Sequence, residues 1–253
     1  MALLQMPFLA AQQPRFNIAF QVFVFVLIQV IIIWRSYVSL SELHKNKSVD
    51  RIRIYVRALC IQSLIFAVSL IFSEPNTFSF NKLLKLRHSP ELQFLAVSIS
   101  ICLILIFSLT FCKIKKVAEK GLTRSQVTTS PILPTNANEC KLFALISIMA
   151  GISEEVLYRG WLFAVLFTLH INPLIACLTT ALLFGLSHTY QGKSGVLKTA
   201  ILGLFLAIFY LASGMLIVPI VIHALIDLIA LAQQIYLITL LKKNEAKQSV
   251  GSY

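Results

Sequence analysis

Three ionisable side chains interrupt an otherwise apolar stretch: Glu154, Glu155 and Arg159, in Gly151-Ile-Ser-Glu-Glu-Val-Leu-Tyr-Arg-Gly160. Both flanks, residues 142–150 and 161–169, are apolar enough to enter a bilayer. A charge at membrane depth costs about 2.5–3.5 kcal/mol on insertion scales and marks a functional site by default. On a helix, Glu155 and Arg159 fall at i and i+4, on one face and within pairing reach, while Glu154 is rotated about 100° away. The spacing predicts one carboxylate neutralised by the arginine and one left for chemistry. Two further pairs lie four residues apart, Phe184 with His188 and His223 with Asp227. Two histidines, a free carboxylate and a second acid suffice to activate water. The carboxylate takes the proton, a neutral histidine orients the water, and the second histidine and the aspartate bind developing negative charge. Asp227 is expected to hold His223 in its donor form, as carboxylates orient imidazole in hydrolytic triads. The same pair also reads as a polar clamp between helices, worth about 0.6–2 kcal/mol.

Composition sets the elements that must position these groups. Of 253 residues, 58% are hydrophobic and 13% charged, too apolar for a soluble domain of this length. The expected fold is all-α, a polytopic transmembrane helix bundle of seven or eight spans, with a polar catalytic cavity in the C-terminal half. The net charge of +12 belongs to the loops between apolar runs, where the positive-inside bias places it, and argues for a bilayer rather than nucleic acid as partner. The five cysteines are scattered and odd in number, so neither a disulfide framework nor a thiolate metal site is indicated. No basic n-region precedes the short apolar patch at the start, which speaks against a cleaved signal peptide.

Apolar runs at residues 16–34, 58–72 and 92–112 form an N-terminal three-span scaffold over 1–112. A polar loop at 113–140, rich in Ser, Thr, Pro and Asn over 123–138, separates it from a catalytic membrane region at 141–241. That region holds spans at 141–169, 173–188, 196–212 and 215–241, and residues 242–253 read as a cytoplasmic tail. Lysine and arginine concentrate in alternate loops, predicting an outside N-terminus and a cytoplasmic C-terminus across seven spans. The count becomes eight if 142–150 forms a separate segment. The centres of the first three spans lack ionisable residues, so the polar groups are expected on three helices of the second half. Depth is the difficulty. Glu154 lies about 20 Å along a span beginning at 141, at ~1.5 Å per residue, whereas His188 closes its span. A shallow or re-entrant 142–150 segment is expected to bring them level, in a water-filled cavity open to the cytoplasm.

Glu-Glu-x-x-x-Arg (Glu154, Glu155, Arg159), Phe-x-x-x-His (Phe184, His188) and His-x-x-x-Asp (His223, Asp227), in this order within apolar spans, resemble the three motifs of the CAAX protease and bacteriocin-processing family. This family, also called ABI, includes the Ras-converting CAAX endopeptidase, an intramembrane glutamic protease. The resemblance covers residues 142–228. It implies that Glu154 and His188 activate water, that His223 and Asp227 line the oxyanion side, that Glu155 and Arg159 form a supporting ion pair, and that Phe184 packs near the site. It also implies a membrane-associated peptide or protein substrate, prenylated or leader-bearing, and no cofactor. Asp227 stands where eukaryotic CAAX endopeptidases often carry Asn, which leans towards a bacterial cytoplasmic membrane. Glu154, His188, His223 and Asp227 could ligate Zn²⁺, but the helical His-Glu-x-x-His pair is missing and the resemblance argues for no metal. The family also contains bacteriocin-immunity proteins, so a non-proteolytic, partner-binding protein is the alternative reading.

Overall fold

The computed structural model describes residues 16–45, 50–72, 112 and 132–250, and every regular element among them is helical. In chain order these are α1 (Ile18–Lys45), α2 (Arg51–Phe72), α3 (Ala137–Glu155), a π-helix (Val156–Leu162), α4 (Phe163–Thr168), α5 (Pro173–Ser187), a 3₁₀ turn (Thr189–Gln191), α6 (Gly192–Ser213) and α7 (Ile217–Val250). Four stretches, Ile18–Ser39, Arg51–Phe72, Thr189–Ser213 and Ile217–Ala246, are long and apolar enough to cross a membrane. Large apolar side chains such as Phe23, Leu64, Leu174 and Leu197 point outward, as lipid-facing residues do. The chain is a helical membrane protein. The expected span at 92–112, but for residue 112, and the loop at 113–131 lie outside the described residues.

Ring contacts and hydrogen bonds fix the helix directions. Tyr55 meets Phe143, Gln62 meets Glu154, and Phe72 stacks on Trp161 with centroids 4.5 Å apart, so α2 runs parallel to the α3–π-helix–α4 rod. α1 is antiparallel to that rod, since Gln21 meets Trp161 and Gln29 meets Tyr158. α7 is antiparallel too: Gln234 Nε2 donates to Pro134 O, whereas His223 reaches Glu155. One rim of the bundle therefore collects Arg51, Arg53, Arg57, Lys141, Lys193, Lys242 and Lys243. The turns at residues 169–172 and 214–216, at the opposite ends of the helices, carry no lysine or arginine.

Capping explains where the rod starts. Asn136 accepts from Glu139 N at 3.0 Å, and Glu139 Oε2 reaches back to Thr135 N and Oγ1 at 2.7 and 2.9 Å, which satisfies donors at the helix entrance. The helix thus begins at Ala137 rather than at the expected 141. It runs unbroken to Glu155, so residues 142–150 are neither re-entrant nor a separate segment. The depth problem has a different solution. α5 is short, and counted from the turn at 169–172 Glu154 and His188 are almost equally many residues away, so equal rise brings them level. α7 continues helical to Val250, where a separate tail from 242 was expected.

The α6–α7 connection is sunk into the bundle. Ser213, Met215 and Leu216 are buried, and Leu216 packs in one cluster with Val156 and Phe163. Gly214 supplies the left-handed residue (φ +63°) that ends α6. Ser213 Oγ donates to Phe209 O at 2.7 Å and accepts from Met215 N at 3.2 Å. Starting this deep, α7 presents His223 to the rod within its second turn. The approach is close: a Cβ on Gly151 would lie 3.0 Å from Ala224 Cβ, the small-residue contact typical of membrane helix pairs.

The N-terminal helices attach through polar side chains. On α2, Tyr55 and Gln62, seven residues apart, meet Phe143 and Glu154 of α3, and Ser69, seven residues further on, is buried. On α1, Gln21 accepts from Trp161 Nε1 at 3.1 Å, Gln29 Nε2 donates to Ser187 Oγ at 2.8 Å, and Ser36 Oγ accepts from Tyr190 N at 2.8 Å. Lipid tails are as apolar as leucine, so packing and such hydrogen bonds, rather than hydrophobicity, hold membrane helices together.

Candidate active site

The first motif sits where the rod changes geometry. Phe163 N donates to Tyr158 O, five residues back, and all seven residues from Val156 to Leu162 are buried. π-helical turns are rare and recur at functional sites. Glu154 and Glu155 close α3 just before this segment, and Arg159 lies within it.

The two glutamates diverge as expected. Glu155 Oε1 accepts from Arg159 Nη1 at 2.9 Å, with both side chains wholly excluded from solvent. Arg159 Nη2 donates to Gly203 O at 2.6 Å, and the guanidinium lies 5.2 Å from the Phe184 ring centroid. Glu155 Oε1 also lies 3.0 Å from His223 Nδ1. A carboxylate only accepts, so Nδ1 carries a proton there. His223 Nε2 is left facing Asp227 Oδ2 at 3.9 Å, too far for a hydrogen bond. The structure corrects the expected orienter of His223: Glu155 fixes the ring, and Asp227, with 36% of its side chain exposed, stands at the open side.

Glu154 turns the other way. Its Oε1 accepts from Gln62 Nε2 at 2.7 Å, and its Oε2 lies 3.7 Å from His188 Nε2 with no hydrogen-bond partner. His188 caps α5, and its Nδ1 is 2.8 Å from Phe184 O. A carbonyl only accepts, so Nδ1 bears the proton, and in the neutral ring Nε2 is a lone pair aimed at Glu154. Phe184 joins the two halves of the site, its ring centroid 4.8 Å from that of His188 and 5.5 Å from that of His223. Its place is set by Gly203, where a Cβ would lie 3.0 Å from Phe184 Cδ1. All seven sequence-predicted residues, Glu154, Glu155, Arg159, Phe184, His188, His223 and Asp227, thus belong to one cluster.

Several participants escaped the sequence reading. Gln62 of α2 bonds Glu154, and Ser153 Oγ donates to Gln62 Oε1. Tyr158 OH lies 2.6 Å from Ser187 Oγ and donates to Gln29 Oε1 at 3.1 Å, beneath the loop that carries His188. The polar groups are therefore not confined to the second half. The available signal was uncharged amides within two apolar helices, Gln21 and Gln29 in α1 and Gln62 in α2.

Residues 136–229 match the family model described as Rce1-like, type II CAAX prenyl endopeptidase. This segment is similar to the domain of that family. It spans α3 to the middle of α7 and contains every residue of the three motifs. The family is one of peptidases, which agrees with a cluster that sets a carboxylate oxygen without a hydrogen-bond partner opposite an imidazole nitrogen. Gln62 and Gln29 lie outside the Rce1-like segment yet bond to its site residues. No curated protein and no solved structure matches the chain.

Proposed function

We propose that the protein is an intramembrane glutamic-type endopeptidase that hydrolyses peptide bonds of membrane-associated substrates without a metal. The observation that carries this reading is the facing pair Glu154 Oε2 and His188 Nε2, 3.7 Å apart. Both atoms are acceptors when Glu154 is ionised and His188 neutral. A water donating one proton to each turns its lone pairs away from both, towards a carbonyl carbon held over the site. Glu154 takes the proton as the water attacks and returns it to the leaving amine. His223 and Asp227 lie on the other side of Phe184, and a His223 protonated on both nitrogens would donate through Nε2 to the developing oxyanion. Glu155, itself paired with Arg159, holds that ring. The Rce1-like match supports an endopeptidase, and prenylated peptides are the substrate class its description suggests, with leader-bearing peptides as the second class to test.

The basic rim is assigned to the cytoplasm by the positive-inside rule, with a bacterial cytoplasmic membrane as the setting and the site open to that side. The parallel run of α2 and α3 is compatible with the seven-span reading. The test is a liposome assay of wild type and His188→Ala against prenylated, unprenylated and leader-bearing peptides, with and without a strong chelator. Cleavage of one class that survives chelator and is lost in His188→Ala supports the reading. Loss of wild-type cleavage on chelation would overturn metal independence. If wild type cleaves no class, the non-proteolytic partner-binding reading replaces it.

A further inference from the structure

Gln62 stands out among the polar groups because it comes from α2, outside the Rce1-like segment, and bonds directly to the proposed base. Its amide orientation is dictated by its partners. The Glu154 carboxylate accepts only, so the Gln62 NH₂ faces it at 2.7 Å, leaving the amide oxygen to accept from the Ser153 hydroxyl. Ser153 is wholly buried and immediately precedes Glu154 on α3. The result is a directed chain, hydroxyl to amide to carboxylate, in which each hydrogen bond polarises the next. It occupies Glu154 Oε1 and leaves Oε2, the atom facing His188, without a partner.

We infer that Gln62 is a positioning residue: it clamps Glu154 so that one carboxylate oxygen is spent on α2 and the other is held towards His188. The inference rests on the endopeptidase reading for its catalytic meaning, but the clamp itself does not. Without the amide, Glu154 can rotate about its side-chain bonds and lose the alignment with His188. Misplacement of a reacting group by about 1 Å costs up to ~10²-fold in rate. Because Gln62 acts through Glu154 rather than on substrate, the loss falls on kcat and leaves KM unchanged.

The experiment uses full-length protein in lipid, labelled with ¹³C on glutamate carboxyl carbons. The infrared carboxylate band of Glu154 is assigned as the one absent from Glu154→Gln. In Gln62→Met, similar in length but without a donor, that band is expected to shift, and kcat to fall about 10–100-fold at constant KM. Ser153→Ala, which keeps the Gln62 donor but frees its oxygen, should shift the band less. Circular dichroism and elution volume check that each variant is folded. A Glu154 band unmoved in folded Gln62→Met overturns the clamp, and a KM rise at constant kcat overturns the positioning role. If wild type cleaves no substrate while the band shifts, the endopeptidase reading fails and the clamp stands.

Discussion

Glu154 and Glu155 are neighbours in sequence, yet they inhabit different regions of one site. Around Glu155 lies a closed polar core in which a single oxygen holds both Arg159 and His223, with no solvent reaching glutamate or arginine. Around Glu154 the pocket is slightly open, with about an eighth of each side chain of the Glu154–His188 pair exposed. One of its oxygens is bonded and the other faces His188 Nε2 without a hydrogen bond. The closed region sets geometry and the open region is left able to react. A helix achieves this by a rotation of about 100° between consecutive residues, which sends one carboxylate towards α6 and α7 and the other towards α2 and α5.

Substitutions should separate the two regions. The largest effect on rate is expected at His188. His188→Ala removes the acceptor opposite Glu154 and should lower kcat about 10²–10⁴-fold, with a thermal melt close to wild type. Arg159→Met acts on the closed region: it leaves Glu155 buried without its cation and should cost about 3–5 kcal/mol of stability, read as lost folded yield and a lowered melt. Equal damage to melt and rate in both variants would erase the distinction.

Smaller changes sharpen it. Gly203→Ala puts a methyl 3.0 Å from Phe184 Cδ1, and overpacking of this kind costs about 1–3 kcal/mol. Since Phe184 touches both His188 and His223, the melt and kcat should both fall in this variant. Asp227→Asn should be mildest, because Asp227 is 3.9 Å from His223 and partly solvated whereas Glu155 bonds the ring directly. A kcat within about tenfold of wild type is the expected result, a tenfold step being 1.4 kcal/mol. A loss larger than that of Glu155→Gln would return the orienting role to Asp227.

The motif residues were legible because charge inside apolar helices is costly and therefore rare: Glu154, Glu155, Arg159, His188, His223 and Asp227 are conspicuous against their flanks. The i+4 rule correctly joined Glu155 to Arg159. The same rule paired His223 with Asp227, and there it misled, since the better acceptor for His223 comes from another helix and intrahelical spacing is blind to it. Gln62 and Gln29 were passed over because a neutral amide costs less to bury than a charge and carries no motif. Only the seven-residue recurrence of Tyr55, Gln62 and Ser69 marked that face of α2. How Glu154 and His188 come level was misread for a simple reason. The shortness of α5 and the sunken turn at 214–216 are tertiary features, and a hydropathy pattern treats each span as a full crossing.

The most direct test measures cleavage rate and thermal melt together for purified Glu154→Gln and Glu155→Gln. Glu154→Gln is expected to melt like wild type and cleave at least ~10²-fold more slowly, while Glu155→Gln is expected to be less stable because the buried Arg159 loses its counter-charge. A Glu154→Gln protein that cleaves at the wild-type rate would contradict the assignment of Glu154 as the base.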